Sequence, residues 1–188
     1  MEVLDTFVSQ AKQLYKEFLL FRRNPIEYIY LFTYPADKKV VIQPYDPEIT
    51  KVGEMLVNNI KTLLPEMPAY YIGSSALRIA GQRDIDIYIA CPPEHFSSSE
   101  KKLIPLLGKL HKKKSKFVQW LYRKNSCMVD VLLVDPRSSM FKKAVKTYEV
   151  LKADKELLEE YKKLKEQSSH LSMREYQKKK LELFDKTI

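Results

Sequence analysis

Two short apolar runs, each with polar residues at fixed places, constrain this chain more than anything else in it. Tyr71-Ile72-Gly73-Ser74-Ser75-Ala76 is followed at a short interval by Asp84-Ile85-Asp86-Ile87-Tyr88. The first run reads as a buried strand ending in a Gly-Ser turn and a short connecting helix. The second reads as a strand bearing two carboxylates. Alternate strand residues project to one face with their Cα atoms about 7 Å apart. Asp84 and Asp86 therefore stand side by side, while Ile85 and Ile87 face a core. Carboxylates so placed can hold one or two Mg²⁺ ions through waters and substrate phosphates. Glycine at the turn permits close backbone approach, and the amides after it can cradle a phosphate. Together the two halves make a phosphate-plus-metal site.

A third acid completes the pattern. Asp130 stands alone within the apolar, β-branched run Met128-Val129-Asp130-Val131-Leu132-Leu133-Val134, which reads as a buried strand carrying one functional carboxylate. The ordered set of Gly73-Ser74, Asp84-x-Asp86 and Asp130 resembles the DNA polymerase beta-like nucleotidyltransferase superfamily. Within it the chain from Val40 onward is most similar to the GrpB family. Val40-Val41-Ile42-Gln43-Pro44-Tyr45-Asp46-Pro47 resembles that family's opening strand and Tyr-Asp-Pro turn, and Tyr71 to Ala76 its His-Ile-Gly-Ser-Thr-Ala signature. Phe141 to Leu151, Glu160 to Lys165 and the segment from Tyr176 resemble its C-terminal helices. Family members often carry a single acid where Asp84-x-Asp86 stands here, and histidines near Asp130. This chain is nearer the superfamily pattern, which favours an active metal site.

The resemblance implies an α+β fold, a small mixed β-sheet of the polymerase beta-like type with packed helices and a helical C-terminal region. It also implies Mg²⁺-dependent nucleotidyl transfer (Mn²⁺ serving as well) from a nucleoside triphosphate such as ATP. Such chemistry is in-line attack at the α-phosphorus, with two metals about 4 Å apart activating the attacking oxygen and neutralising the leaving group. Asp84 and Asp86 would bridge both ions. Asp130 would bind the catalytic ion and accept the acceptor's proton. Gly73, Ser74, Ser75 and nearby amides would hold the β- and γ-phosphates. Arg78 and Arg83 flank the site and either could bind phosphate. Arg83 is preferred because it adjoins Asp84, with a role as charge partner for the carboxylates equally open.

At 188 residues the chain is long enough to bury a core, and its 45% apolar and 30% charged content is globular. No run approaches the eighteen apolar residues of a membrane span, and no secretory signal opens the sequence, so no membrane partner and a cytoplasmic location are expected. Cys91 and Cys127 have neither metal nor redox spacing. The net charge of +9 favours anionic partners, meaning nucleotides, RNA or another polyanionic acceptor. Lysines cluster at 109, 112–114 and 116, followed by Arg123 and Lys124, and again at 178–180; a solvated face is the plain alternative for these. His95, His111 and His170 lack ligand spacing and are expected to be exposed. At least one of Trp120 and Tyr122 is expected in the core, and an outward one could stack on a base.

Leu4, Phe7, Val8, Ala11, Leu14, Tyr15 and Phe18 recur at helical spacing, predicting an amphipathic helix over about 2–22. Residues 26–34 read as helix or strand, and Val40 to Gln43 as a strand. Residues 1–39 are expected to form an N-terminal helical extension that packs over the sheet, or else serves an oligomer or a partner. Residues 40–188 form the nucleotidyltransferase domain, including C-terminal helices from about 138. Within it the pattern predicts a helix over about 48–64 with Val52, Met55, Leu56 and Ile60 inward. It also predicts a helix capped within Ser97–Glu100 and running to about 112. A hairpin then turns at Asn125-Ser126, pairing the strands of Trp120 and Asp130, and three helices follow from Ser138-Ser139. Two other functions stay open: a basic nucleic-acid-binding module and a non-catalytic nucleotide-binding regulatory domain.

Overall fold

The computed structural model describes residues 2–124 and 126–185, excepting the side chains of residues 2–5 and 7. Two compact units form, Met1–Val40 with Gln167–Ile188, and Val41–Glu166. In the first lie α1 (Glu2–Arg23), α2 (Pro25–Leu31) and α8 (Met173–Asp185). The second holds α3 (Pro47–Leu63), α4 (Gly73–Ala76), α5 (Phe96–Leu107), α6 (Ser139–Ala153) and α7 (Lys155–Glu166). Among the described residues its strands are β1 (Ala69–Ile72), β2 (Asp84–Ala90), β3 (Lys112–Lys113), β4 (Phe117–Lys124) and β5 (Cys127–Val134). They make a mixed five-stranded sheet in the order β1-β2-β5-β4-β3. The expected α+β class is what the chain adopts.

Alternation decides which face of the sheet is core. Ile85, Ile87 and Ile89 of β2, with Val129, Val131 and Leu133 of β5, are fully buried in one cluster with Val118 and Trp120 of β4. β2 and β5 run parallel, and β1–β2, β4–β5 and β3–β4 antiparallel. The β4–β5 hairpin pairs Lys124 with Cys127, leaving a two-residue turn in which Ser126 has φ 63°; Asn125 lies outside the described residues. Trp120 is the core aromatic of that hairpin and donates Nε1–H to the Gly108 carbonyl at 3.2 Å. All three histidines are exposed.

α3 begins where its sequence provides a cap. The Asp46 carboxylate accepts the Glu48 amide at 3.0 Å, with Pro47 at the first helical position. Ile49, Gly53, Leu56, Val57 and Ile60 form its inward stripe. Val52 packs at the margin of the core, but Met55 is 52% exposed, off the stripe that Leu56 occupies. α6 is capped by Ser138, whose Oγ accepts the Phe141 amide. α5 departs from expectation at both ends. Its first residue is Phe96, so the serines fall inside the first turn, where Ser98 donates to the His95 carbonyl rather than capping. It stops at Leu107 because Gly108 adopts φ 77°, a left-handed conformation that ends a helix.

Val40 to Gln43 does not form a strand. Val40 donates to the Leu171 carbonyl while Gln43 exchanges two bonds with Gly81, and Pro44 then lacks the donor that would extend a ladder. Of residues 26–34, left undecided by pattern, those up to Leu31 are helical, in a helix that starts at Pro25. In the smaller unit, α1 is the expected helix, but Leu20 is its buried contact, with Leu31 and Leu181, while Leu14, Tyr15 and Phe18 stay exposed. Leu4 and Phe7 lie outside the described side chains. Lys178 of α8 pairs with Glu17 of α1, which also accepts the Tyr28 hydroxyl at 2.8 Å. Among the described residues no helix is long and apolar enough to cross a membrane. Cys91 and Cys127 are buried and form no disulfide among the described residues.

Tyr71 meets α3 at a point of forced contact. A β-carbon on Gly53 would fall 2.4 Å from Tyr71 Cζ. Burial pushes the Tyr71 phenol up to about 12, against the opposing pull of the Ser75 and Thr50 hydroxyls beside it. Both hydroxyls donate to carbonyls instead, leaving Tyr71 Oη buried without a hydrogen-bond partner. Gly53→Ala should therefore cost about 1–3 kcal/mol by overpacking. Tyr71→Phe should cost nothing measurable, because the hydroxyl removed has no bond to lose. Urea denaturation midpoints of the two variants check both expectations.

Candidate active site

The acidic residues gather because β2 and β5 pair in a single register. Asp86 stands opposite Asp130 across the parallel pair, and Asp84 lies two residues back on β2. All three point away from the isoleucine face and are half-buried. β1 brings the turn to the same place, since Ile72 pairs with Asp86 and Gly73 follows it. Gly73 has φ 84°, and a β-carbon there would meet Asp86 Oδ2 at 2.4 Å. Both the conformation and the contact demand glycine.

Asp130 is held by a residue that sequence reasoning did not single out. Gln119 of β4 donates Nε2–H to both carboxylate oxygens, at 2.9 and 3.0 Å. Burial pushes the Asp130 carboxyl above its usual range. The Gln119 bonds and nearby His111 pull it down, and the Asp84 charge pushes it up. The signal for Gln119 was a polar residue at an alternate position between buried Val118 and Trp120, which places it on the acidic face.

The serines of the turn divide their work. Ser75 donates Oγ–H to the Asp84 carbonyl at 2.6 Å, and Thr50 donates to the Ser75 carbonyl at 2.8 Å, so Ser75 fastens the turn to β2 and α3. Ser74 lies against Gly81, where a β-carbon would fall 2.2 Å from Ser74 Oγ. The arginines diverge. Arg83, at φ 64°, turns from the acids to Asp46, at 2.6 Å, and Gln43, at 3.3 Å. Arg78, at φ 58°, is exposed and 3.8 Å from Glu54. Left-handed conformations cost non-glycine residues about 1–3 kcal/mol and concentrate at functional sites. A cleft lined by Pro44, Tyr45, Asp46, Ser74, Gly81 and Arg83 opens beside the turn.

Among the described residues no three His, Cys, Asp or Glu side chains are gathered closely enough to hold a metal ion by themselves. The donor set nonetheless suits Mg²⁺, which takes oxygen ligands and usually binds through one or two carboxylates plus waters and phosphates rather than an all-protein cage. Asp86 and Asp130, in register on neighbouring strands, supply such a pair.

A Gly-Ser turn set against carboxylates on two parallel strands of a mixed sheet defines a protein of the polymerase beta-like nucleotidyltransferase class. The sequence model of the family described as GrpB protein matches residues 39–188, and the chain belongs to that family. No curated protein matches it.

The raised Asp130 carboxyl has a consequence for stability. A folded-state value above the unfolded one means the folded chain binds more protons between the two, so stability falls as pH rises through that window. Asp130→Asn removes the charge. It should raise the melting temperature at pH 8, with the gain shrinking as pH falls below the ordinary carboxylate value of 3.8. Thermal melts of both proteins across that range test this; a gain independent of pH would mean the charge is not its source.

Proposed function

We propose that the chain is a Mg²⁺-dependent nucleotidyltransferase that moves a nucleoside monophosphate from a nucleoside triphosphate to an acceptor hydroxyl. The observation that carries this is the register of Asp86 with Asp130 beside a glycine that only its missing side chain admits. Asp86 and Asp130 would hold the metal, with Asp84 adding its charge from two residues back on β2 (Mn²⁺ could substitute); when bound it supplies Lewis-acid stabilisation of phosphate charge.

The protein's own groups then have separable tasks. Asp130, its carboxyl raised by burial and oriented by both Gln119 contacts, is the group to take the acceptor's proton. The acceptor oxygen bonds to the α-phosphorus as the bond to pyrophosphate breaks, and pyrophosphate leaves with the electron pair. Gly73 and Ser74 receive the phosphates, with Ser75 fixing the turn that carries them. Arg83 holds the Asp46 loop at the rim of the cleft. Arg78, exposed and strained, would exchange its 3.8 Å pairing with Glu54 for a phosphate.

The acceptor side is basic. In the ladder that leads to β5, Lys112 pairs with Gln119, and exposed Lys114, Lys116, Arg123 and Lys124 extend the charge. RNA or another polyanion suits that edge. The same feature supports a second reading, a nucleic-acid-binding module without turnover.

Asp86→Asn should abolish the Mg²⁺-dependent part of triphosphate affinity by calorimetry. It should also cut pyrophosphate release from α-labelled triphosphates by about 100-fold or more, beyond what loss of a mere supporting contact costs. Charge reversal at Lys112, Lys113 and Lys114 should change only the salt-dependent affinity for a polyanionic acceptor. Tight nucleic-acid binding kept by Asp84→Asn, with no pyrophosphate released by the natural protein across a broad acceptor panel, would favour the binding module instead.

A further inference from the structure

The first helix packs its polar side and leaves its apolar side in water. Gln13, Lys16, Leu20 and Arg23 of α1 line a groove with Glu175, Lys178 and Glu182 of α8. Glu17 pairs there with Lys178, and Arg23 with Asp185 at 3.1 Å. Leu20 is the buried apolar residue of that side. The opposite side carries Val8, Ala11, Leu14, Tyr15, Phe18 and Phe21, all exposed. Their spacing of three and four puts them on one stripe. Val8, Leu14, Tyr15, Phe18 and Phe21 leave 41–71% of their surface in water. Large side chains offer about 150–200 Å² each, so the stripe presents roughly 500 Å² of apolar surface. A stable interface takes about 800 Å² from each partner, of which roughly 60% is apolar. The stripe supplies that share.

We propose that α1 is a dimer interface, its apolar stripe packing antiparallel against the same stripe of a second copy of this chain. Self-complementarity singles out a copy as the occupant. Val8, Ala11, Tyr15 and Phe18 are spaced three, four and three apart, a pattern that reads the same in both directions. A two-fold axis level with Gln13 sets Val8 against Phe18 and Ala11 against Tyr15, a smaller side chain against a larger one each time. Charge agrees with that direction. Glu2 and Asp5 belong to the first turn of α1 and Arg22 and Arg23 to its last, so antiparallel copies bring unlike ends together. A membrane surface fits less well. With four bases against three acids α1 has little charge to draw it to anionic lipid, and its polar side is taken by α8.

Sedimentation equilibrium of the full chain tests this. The natural protein should run at twice the 22.2 kDa of one chain and dissociate on dilution. Val8→Glu and Phe18→Lys should each weaken the dimer by about 10-fold or more. An equimolar mixture of the two should recover a one-to-one dimer. The new carboxylate of one chain then faces the new ammonium of the other, while the second Val8–Phe18 contact stays natural. Met55→Lys, at an exposed apolar residue of α3, should dimerise as the natural protein does. A natural protein monomeric at every concentration overturns the proposal, and a monomer that binds anionic vesicles assigns the stripe to lipid instead. A dimer indifferent to Phe18→Lys, or equally weakened by Met55→Lys, overturns it too, as does a mixture that stays monomeric. Should Phe18→Lys not fold, the melting temperature of the natural protein must rise with its concentration; a constant one overturns the proposal.

Discussion

The pairing of β2 with β5 sets both the core and the site. On one face it stacks Ile85, Ile87 and Ile89 against Val129, Val131 and Leu133, all fully buried. On the other it places Asp86 beside Asp130 with Asp84 next to them. Each buried aliphatic side chain contributes about 1.5–3 kcal/mol. A slip of one residue would exchange the faces, exposing the isoleucines and burying the acids. The spacing of the carboxylates is therefore enforced by apolar burial rather than by any attraction among the acids, which repel one another.

The second half of the site depends on close backbone approach. Gly73 admits the Asp86 carboxylate and Gly81 admits Ser74 because neither has a β-carbon to interfere. Ser75 and Thr50 then bind the turn to β2 and α3 through carbonyls. Farther out, the Gln43–Gly81 bridge and the Arg83–Asp46 ion pair hold the loop that forms the other wall of the cleft. Asp46 serves twice, since one carboxylate oxygen caps α3 while the other accepts Arg83. A helix start, a loop and a left-handed arginine are fixed together by that single acid.

What sequence pattern made legible was local. Period-two alternation identified β2, β4 and β5, and with them the shared face of Asp84 and Asp86, because burial acts on each strand separately. Gly73 was readable because a glycine closing an apolar strand run marks a turn where the backbone can approach closely. Gln119 was not singled out, since what matters about it is a neighbour supplied by another strand. Arg83 was placed beside Asp84 by adjacency in the chain, but a positive φ turns its side chain to Asp46. Periodicity also misjudged burial where it had only a helix to work with. The stripe of Leu14, Tyr15 and Phe18 is helical yet exposed, because amphipathicity states that a face exists and not what covers it.

Charge placement on the strands beside the turn runs against the balance of the whole chain. The net charge of +9 is spread over the surface, yet three acids are kept half-buried on one face of the sheet. One of them has its carboxyl raised by that burial. That burial does not favour folding, since it holds a charge away from water, and a cation drawn to the acids would relieve it. The acids of β2 and β5 are thus gathered by the apolar burial of the opposite face, which holds them together where their own charge would not.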